Sequence, residues 1–588
     1  MRWLLKTADS KQVEALASEL GHNSALDLAD PKLACAVARL LVQRGIDDPG
    51  TAARFLAPSL SNLHSPYAMS GMKAAVDRLE AAIEHKEGIL IYGDYDVDGT
   101  TAIVILKTAI ELCGGSADFH VPHRIREGYG MKDDVIERAA AAGVRLIISV
   151  DTGIRAFAAA ETASRLGVEL IVTDHHLPGE QGVPTALAVL NPNQPGCEYP
   201  CKALCGAGVG FKLAQALMER RLQAPDLSRV LTSFLKVVAI ATVADAVPLT
   251  GENRVFAKLG LEALQRPVNP GLRALIDVAQ LGRARPLTAG EIAFRIAPRL
   301  NAAGRMDVAK DVIELFSVKD PARAKQIADR LDQLNAERQE EERRILDAIY
   351  ARVEEEPALR DSYCMVIDGD GWHRGVIGIT ATRVVEKYGR PTLVISRDGD
   401  EAHGSGRSIA AFHLLDALES CGELFDRYGG HAHAVGFSLP VSRMAELRHR
   451  LDEYARARLT LADFAPSLKV DAEIELEQVT PALYQALCRL EPFGVGNPEP
   501  VFCARQVRLV APPRTIKDKH VKLKLGVKSS NGWRPAMVAL GWHMQEKVQQ
   551  ANLLAGDQMD VAFSVEYNEH PEWGGLELSL RDFVCGRG

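Results

Sequence analysis

The stretch that most restricts how this chain can fold runs from Ile89 to Thr101, ILIYGDYDVDGTT. It opens with a short apolar run of the kind that makes a buried strand. Asp94, Asp96 and Asp98 follow at every second position. Gly99 is then expected to break the extended chain, with Thr100 and Thr101 capping an apolar helix over 102–113. Acids this close repel one another, and a folded protein holds them either in full solvent or around a cation. Oxygen donors at this density suit a hard divalent ion, magnesium or manganese.

The plan recurs downstream. A helix over 134–142 stops at Gly143, and a strand over 146–150 leads into Asp151-Thr152-Gly153. A helix over 156–166 stops at Gly167, and a strand over 170–173 leads into Asp174-His175-His176. Alternating strand and helix implies a parallel sheet, whose ligands bind beyond the carboxyl ends of the strands. Acids from separate strands then converge on one crevice. Asp245 is the only charge in the apolar segment Val237 to Leu249. It either ends a helix beside the turn at Pro248 or faces something positive, because a lone buried carboxylate is costly. Singly, a loop acid behind a strand is commonplace and a histidine pair is usually on the surface. The ordered set DxDxDG, VDTG and TDHH, each behind an apolar run, is specific enough to point to a metal site.

At 588 residues the chain is too long for one core, so several domains are expected. Its 47% hydrophobic and 25% charged residues are those of an ordinary soluble globular protein. The net charge of −8 means that a nucleic-acid partner must be held by a local patch rather than by the mean field. No apolar run is expected to reach the roughly 18 residues that span a membrane. The start, MRWLLKTADSKQ, carries too short an apolar run for a signal peptide. Cys197, Cys201 and Cys205 cluster but lack paired CxxC spacing and an obvious fourth ligand. Reduced thiols in a cytoplasmic protein are expected there rather than zinc.

Elsewhere the chain changes character by segment. Residues 1–75 read as a helical lead-in. Arg299 and Arg305 flank a glycine-containing turn that is either a helix end or an anion contact. Asp320-Pro321 starts a long charged helix to about Glu356, a connector between domains. A second α/β region begins near Ser362. It carries His373 in WHRGVIGI, Ser405 and Arg407 in GSGRS, and His431 in GGHAHAVG. Taken singly, these glycine-rich stretches are tight turns. From about 463 short alternating strands suggest a small barrel. Between Arg505 and Arg534 nine Lys/Arg face one acid, Asp518, against 69 and 77 in the whole chain. Lys522 and Lys524 alternate with apolar residues, which places charge on one strand face. Trp533, Trp542 and Trp573 lie nearby. Charge with aromatics suits single-stranded nucleic acid; a solvated basic edge strand is the plainer alternative.

The DYDVDG, VDTG and DHH stretches together closely resemble the DHH phosphoesterase superfamily. From about residue 70 onward the chain is similar to that superfamily's single-strand-specific 5′→3′ DNA exonucleases. The resemblance implies two divalent ions, Mn2+ or Mg2+, on Asp96, Asp98, Asp151, His175 and Asp245, with Asp94 and His176 close by. It implies that His176 or His431 orients the phosphate or the attacking water. Arg299 and Arg305 would meet DNA phosphates, and Arg124, Ser405 and Arg407 would hold the 5′-terminal phosphate. His373 would bind substrate, as would Lys519, Lys522 and Lys524 on an OB-fold barrel. The motif GGHxxAAG departs mildly here, with Val435 at its second small position. The implied architecture is multidomain α/β. A lead-in (1–75) precedes a parallel-sheet DHH catalytic domain (76–265) and a helical connector (266–356). A DHH-associated domain (357–462) and an OB-fold domain (463–588) follow. The resemblance also implies release of 5′-mononucleotides in recombination and repair. The partners would be single-stranded DNA with a 5′ end, a single-strand-binding protein and a helicase, with the chain itself a monomer. The nearest alternative is a DHH phosphodiesterase for short oligonucleotides or cyclic dinucleotides, for which a long basic track has no use. A non-catalytic replication scaffold would lack the acids, and none of them is missing.

Overall fold

The computed structural model describes residues 1–588 except 27, 125, 129, 283–284, 307–308, 530–531, 569, 571–573 and 586–588. Trp573, one of the aromatic residues noted above, lies outside the described residues. Contacts divide the chain into two units. One is His64–Asp245 with Gly260–Pro466; the other is Met1–Leu63, Ala246–Leu259 and Ser467–Gly588.

The first unit contains two sheets. Strands β1 (Gly88–Gly93), β2 (Ala117–His120), β3 (Val144–Val150), β4 (Glu169–Thr173) and β5 (Ala188–Leu190) form a parallel sheet in the order β2-β1-β3-β4-β5. That order has a switch point between β1 and β3, where a doubly wound sheet opens its ligand crevice. The strands are apolar on both faces because helices cover both; Leu90, Tyr92, Ile147 and Val172 pack against Val135, Ile136 and Ala160 on one side. Helices α1 (Val97–Leu112), α2 (Gly206–Arg221) and α3 (Asp226–Ala244) pack together. The helix after β1 starts earlier than expected, and its cap is an aspartate. Asp96 accepts from the backbone N–H groups of Asp98 (2.9 Å) and Gly99 (3.1 Å), so Gly99 lies inside the first turn. Thr100 and Thr101 instead donate their hydroxyls back to the Asp96 and Val97 carbonyls.

Contrary to the expectation that no apolar run reaches that length, one helix among the described residues is long and apolar enough to cross a membrane by length and composition, the 19-residue α3. Its residues Leu231, Phe234, Leu235, Val238 and Ile240 are buried in the protein. Among the described residues, no disulfide joins any of the ten cysteines. The Cys205 thiol caps α2 by accepting from Gly208 N.

Helix α4 (Ala297–Met306) and the 35-residue α5 (Pro321–Glu355) lead to the second sheet. Asp320 caps α5, accepting from Ala322 N and Arg323 N. Strands β6 (Met365–Asp370), β7 (Thr392–Asp398), β8 (Glu401–Arg407), β9 (Arg427–His431) and β10 (Ala434–Pro440) pair in the order β9-β10-β8-β7-β6; only β6–β7 is parallel. Ile345, Ile349 and Val353 of α5 pack on this sheet against Met365, Ile367 and Val394, beside helix α6 (Ile377–Tyr388).

The second unit holds the barrel. Strands β11 (Phe502–Leu509), β12 (Arg514–Ile516), β13 (His520–Ser529), β14 (Gly532–Gly541), β15 (Gln558–Asn568) and β16 (Gly575–Cys585) run β11-β15-β16-β14-β13-β12, and a β11–β13 pairing closes the ring. The closed circuit leaves no long free edge. The N-terminal segment, expected to stand apart as a lead-in, shares this unit's core. Val13, Leu16, Leu20 and Leu40 belong to one apolar cluster with Leu483, Phe502, Leu525 and Phe563. Strand Arg2–Leu5 pairs with Ser467–Val470. Arg254 is fully buried in the same unit. It donates to the carbonyls of Phe55, Arg489 and Glu491 and lies 3.6 Å from the Phe55 ring centroid. Burial and then the Arg44 charge push its pKa down to about 9, so it stays charged at neutral pH. Arg254→Met leaves these carbonyls without that donor. It is expected to lower this unit's stability by roughly 3 kcal/mol, at about 1 kcal/mol per buried acceptor, read as a lower urea midpoint in equilibrium unfolding.

Candidate active site

The carboxyl ends of β1, β3 and β4 and the end of α3 deliver the acids to one place. Asp94, Asp98 and Asp151 are buried. Asp151 takes a left-handed backbone (φ 57°), rare for a residue with a side chain, and its N–H donates to Thr173 O at 3.0 Å. His175 Nε2 lies 3.3 Å from Asp151 Oδ1, 3.8 Å from Asp245 Oδ2 and 3.9 Å from Asp98 Oδ2. Asp245 caps the C-terminus of α3, so the helix-end position and the place in the cluster are both real.

The donors form sets whose ligand atoms lie within 4.8 Å of one another: Asp98 with His175 and Asp245, Asp94 with Asp96 and Asp151, and Asp151 with His175 and His176. Asp94 and His176, which the resemblance places beside the ligands, are thus each a member of one set. The Asp94 Oδ1 is buried and has no hydrogen-bond partner. Burial, then the neighbouring carboxylates, raises the pKa of Asp94, Asp96 and Asp151, and lifts Asp245 to about 9. Burial also disfavours the His175 proton, despite the nearby Asp98, and leaves a neutral nitrogen donor. A buried carboxylate oxygen without a donor, clustered acids and a neutral imidazole are what hard divalent cations require. The set fits Mn2+ or Mg2+.

Several residues that hold the site have no separate signal in the sequence. Asp98 accepts from Gly206 N (2.5 Å) and Ala207 N (2.8 Å), the free N–H groups at the start of α2. Gly206 has to be glycine: a Cβ there would sit 2.5 Å from Asp151 Cβ. Asn301 accepts from Val97 N at 3.0 Å and so fixes the DxD turn from α4. Asp174 is not a donor to the cluster. It accepts from the N–H groups of Ile154, His175 and His176 and from the His176 ring at 2.7 Å. Burial opposes its charge, but these bonds hold the Asp174 pKa low, and they raise that of His176 against its own burial.

The cationic residues gather beside the carboxylates. Arg124 lies 5.0 Å from the Tyr95 ring centroid. Burial, then the Arg124 charge, pushes Arg305 down to about 10 and lowers Arg407 and, despite nearby Glu341, His373. Arg407 Nη1 donates to Ser405 Oγ at 3.2 Å, and Arg305 Nη1 donates to Gly375 O at 3.0 Å. His373 is fixed by its N–H donating to Glu341 of α5. Burial, His433 and then Arg407 lower the His431 pKa. Arg299 does not join this group. Its Nε donates to Asp332 of α5 at 2.8 Å and its Nη1 to Arg295 O, so its guanidinium braces α4 against α5. In the barrel unit, Lys522 and Lys524 alternate with buried Val521, Leu523 and Leu525 on β13, and Lys519 is exposed at its start.

Comparison with known proteins adds three domain matches: the DHH family N-terminal domain over residues 88–242, the DHHA1 domain over 360–457 and the RecJ OB domain over 470–582. The chain is 36% identical over 587 residues to the single-stranded-DNA-specific exonuclease RecJ of Bacillus subtilis, covering 99% of this chain and 70% of that protein. It is 32% identical to the Escherichia coli protein of the same name, over 97% of this chain and 95% of that one. A crystal structure of RecJ from Thermus thermophilus in complex with Mn2+ superposes with a TM-score of 0.82 at 28% identity, over 99% of this chain and 79% of that one. The Mg2+ complex from the same organism gives 0.75 at 27% identity, with 99% and 78% covered.

Proposed function

Because the chain belongs to the RecJ family of single-stranded-DNA-specific exonucleases, we propose that it removes nucleotides one at a time from the 5′ end of single-stranded DNA by metal-assisted phosphodiester hydrolysis. The observation that carries the reading is the meeting of His175 with Asp98, Asp151 and Asp245, four side chains from distant parts of the sequence, within 3.9 Å.

Asp94, Asp96, Asp98, Asp151, His175 and Asp245 hold the cations. Bound there, divalent cations supply Lewis acidity toward a phosphate oxygen and make water a stronger nucleophile near neutral pH. The protein's own groups do the rest. The N-terminus of α2 steadies Asp98, and Asn301 steadies the turn that carries Asp94 and Asp96. Asp174 sets the His176 ring so that its other nitrogen can face a phosphate or the attacking water; His431 is the second candidate for that task. Arg124, Ser405 and Arg407 hold the 5′-terminal phosphate, where a guanidinium fork matches phosphate geometry. Arg305 and His373 line the same side. Fixing the terminal phosphate one nucleotide from the carboxylates gives polarity and stepwise release of 5′-mononucleotides. The barrel, through Lys519, Lys522 and Lys524, keeps the strand attached. On this reading the enzyme acts in the cytoplasm as a monomer, in recombination and repair. A helicase would expose its substrate and a single-strand-binding protein would cover it.

Digestion of 5′-labelled single-stranded and duplex DNA with manganese, magnesium or chelator tests the reading. Labelled mononucleotide is expected as the first product from the single strand, with neither duplex cleavage nor activity in chelator. A ladder of internal cuts, or equal digestion of duplex, sinks it. Comparing rates on dinucleotides and on long strands separates it from a short-oligonucleotide phosphodiesterase.

A further inference from the structure

The carboxylates and the arginines of this site carry opposite charge and lie side by side, yet they do not pair. Burial, then the neighbouring carboxylates, raises the pKa of Asp94 and Asp96, and the Arg124 charge draws both back down, so its guanidinium is close enough to act on them. Among the described residues, no ion pair joins Arg124, Arg305 or Arg407 to either acid. Opposite charges in a partly buried site attract strongly, so something must hold these apart. Two of the arginines are tied elsewhere. Arg305 Nη1 donates to Gly375 O at 3.0 Å, and Arg407 Nη1 donates to Ser405 Oγ at 3.2 Å and to Gly406 O at 2.8 Å. Among the described residues, no hydrogen bond ties the Arg124 guanidinium; it lies over the Tyr95 ring, 5.0 Å from the centroid. Tyr95 stands between Asp94 and Asp96 in the chain, on a turn that cannot yield. A Cβ on Gly304 would sit 2.3 Å from Tyr95 O, so α4 packs hard against that carbonyl, and Val97 N donates to Asn301 Oδ1 at 3.0 Å. Burial, then the Asp94 charge, pushes the phenol up to about 12, with Arg124 opposing. The ring therefore stays neutral and offers its face to a cation.

We propose that Tyr95 is a positioning residue, whose ring keeps Arg124 off the metal-binding carboxylates and available to the 5′-terminal phosphate. The assignment rests on the reading of Arg124 as a phosphate-binding group and adds what keeps that group free to bind. Without the ring, Arg124 closes on Asp94 and Asp96. There it masks the oxygens that a divalent cation needs and leaves the strand end unheld. One side chain thus prevents two adjoining sites of opposite charge from cancelling each other.

The test uses the full chain and two readouts. Manganese is titrated calorimetrically in the absence of DNA, and kcat/KM is compared for oligonucleotides with 5′-phosphate and 5′-hydroxyl ends. Tyr95→Ala is expected to weaken manganese binding by roughly tenfold or more, because a guanidinium seated on two carboxylates opposes a second cation there. It should also lower the preference for the 5′ phosphate by about two- to thirtyfold, the range of a cation–π contact. Tyr95→Phe keeps the ring and should keep both properties. The double variant Tyr95→Ala/Arg124→Gln should recover the manganese affinity of Arg124→Gln alone, without recovering the phosphate preference. A merely structural loss at the turn would leave the double variant as weak for manganese as Tyr95→Ala. That result overturns the proposal, and so does parent manganese affinity in Tyr95→Ala. Parent phosphate preference in Arg124→Gln alone overturns the reading of Arg124 as a phosphate-binding group, while the manganese titrations still decide whether Tyr95 holds it away from the acids.

Discussion

Asp151→Asn is expected to cut strand hydrolysis about a thousandfold or more, because it removes a shared oxygen donor on which the other groups depend. The amide keeps the shape of the side chain and its left-handed backbone, so the fold should persist. A second readout separates metal binding from catalysis. In chelator the variant should melt at a higher temperature than the parent, since one of several mutually repelling buried carboxylates is gone. Added manganese should raise the parent's Tm far more than the variant's. Near-parent cleavage, or an undiminished manganese shift, would remove Asp151 from the site.

Arg407→Ala is expected to lower the preference for a 5′-phosphorylated end by about ten- to a hundredfold, the worth of a charge-assisted hydrogen bond to a half-buried guanidinium. Paired oligonucleotides with 5′-phosphate and 5′-hydroxyl ends, compared through kcat/KM, provide the measurement. The loss should fall on the phosphorylated substrate alone. Arg407→Lys should restore little of it, because a single ammonium lacks the planar fork that Ser405 positions. An unchanged ratio in Arg407→Ala would place the 5′ phosphate elsewhere.

The catalytic sheet was legible because its signals are local. An apolar run, an acid, a helix and a stop glycine recur within a few dozen residues, and β1, β3 and β4 each end in the expected acid. The supports of that site were not legible, because they act across the chain. Asn301 meets Val97 over 204 residues, and Gly206 meets Asp98 over 108. Arg299 and Arg305 flank the same turn in sequence and could not be told apart there. At 3.6 residues per turn they point about 120° apart on α4, so one reaches Asp332 and the other Gly375 O. The threonines after Gly99 carried a cap signal that Asp96, already at the helix end, took over. In the N-terminal segment, Val13, Leu16 and Leu20 announce a buried helical face, but spacing cannot name the surface that covers it.

That surface is made much later. During synthesis the ribosome delivers Met1–Leu63 well before Ser467–Gly588, which completes its core only after about four hundred further residues, roughly 20–80 s later at typical elongation rates. For that interval the nascent N-terminal helices have apolar faces with no final partner, while the intervening sheets can already assemble. Chaperone capture or misassociation should therefore concentrate on the front of the chain. A premature stop late in the message would orphan its beginning as well as remove its end.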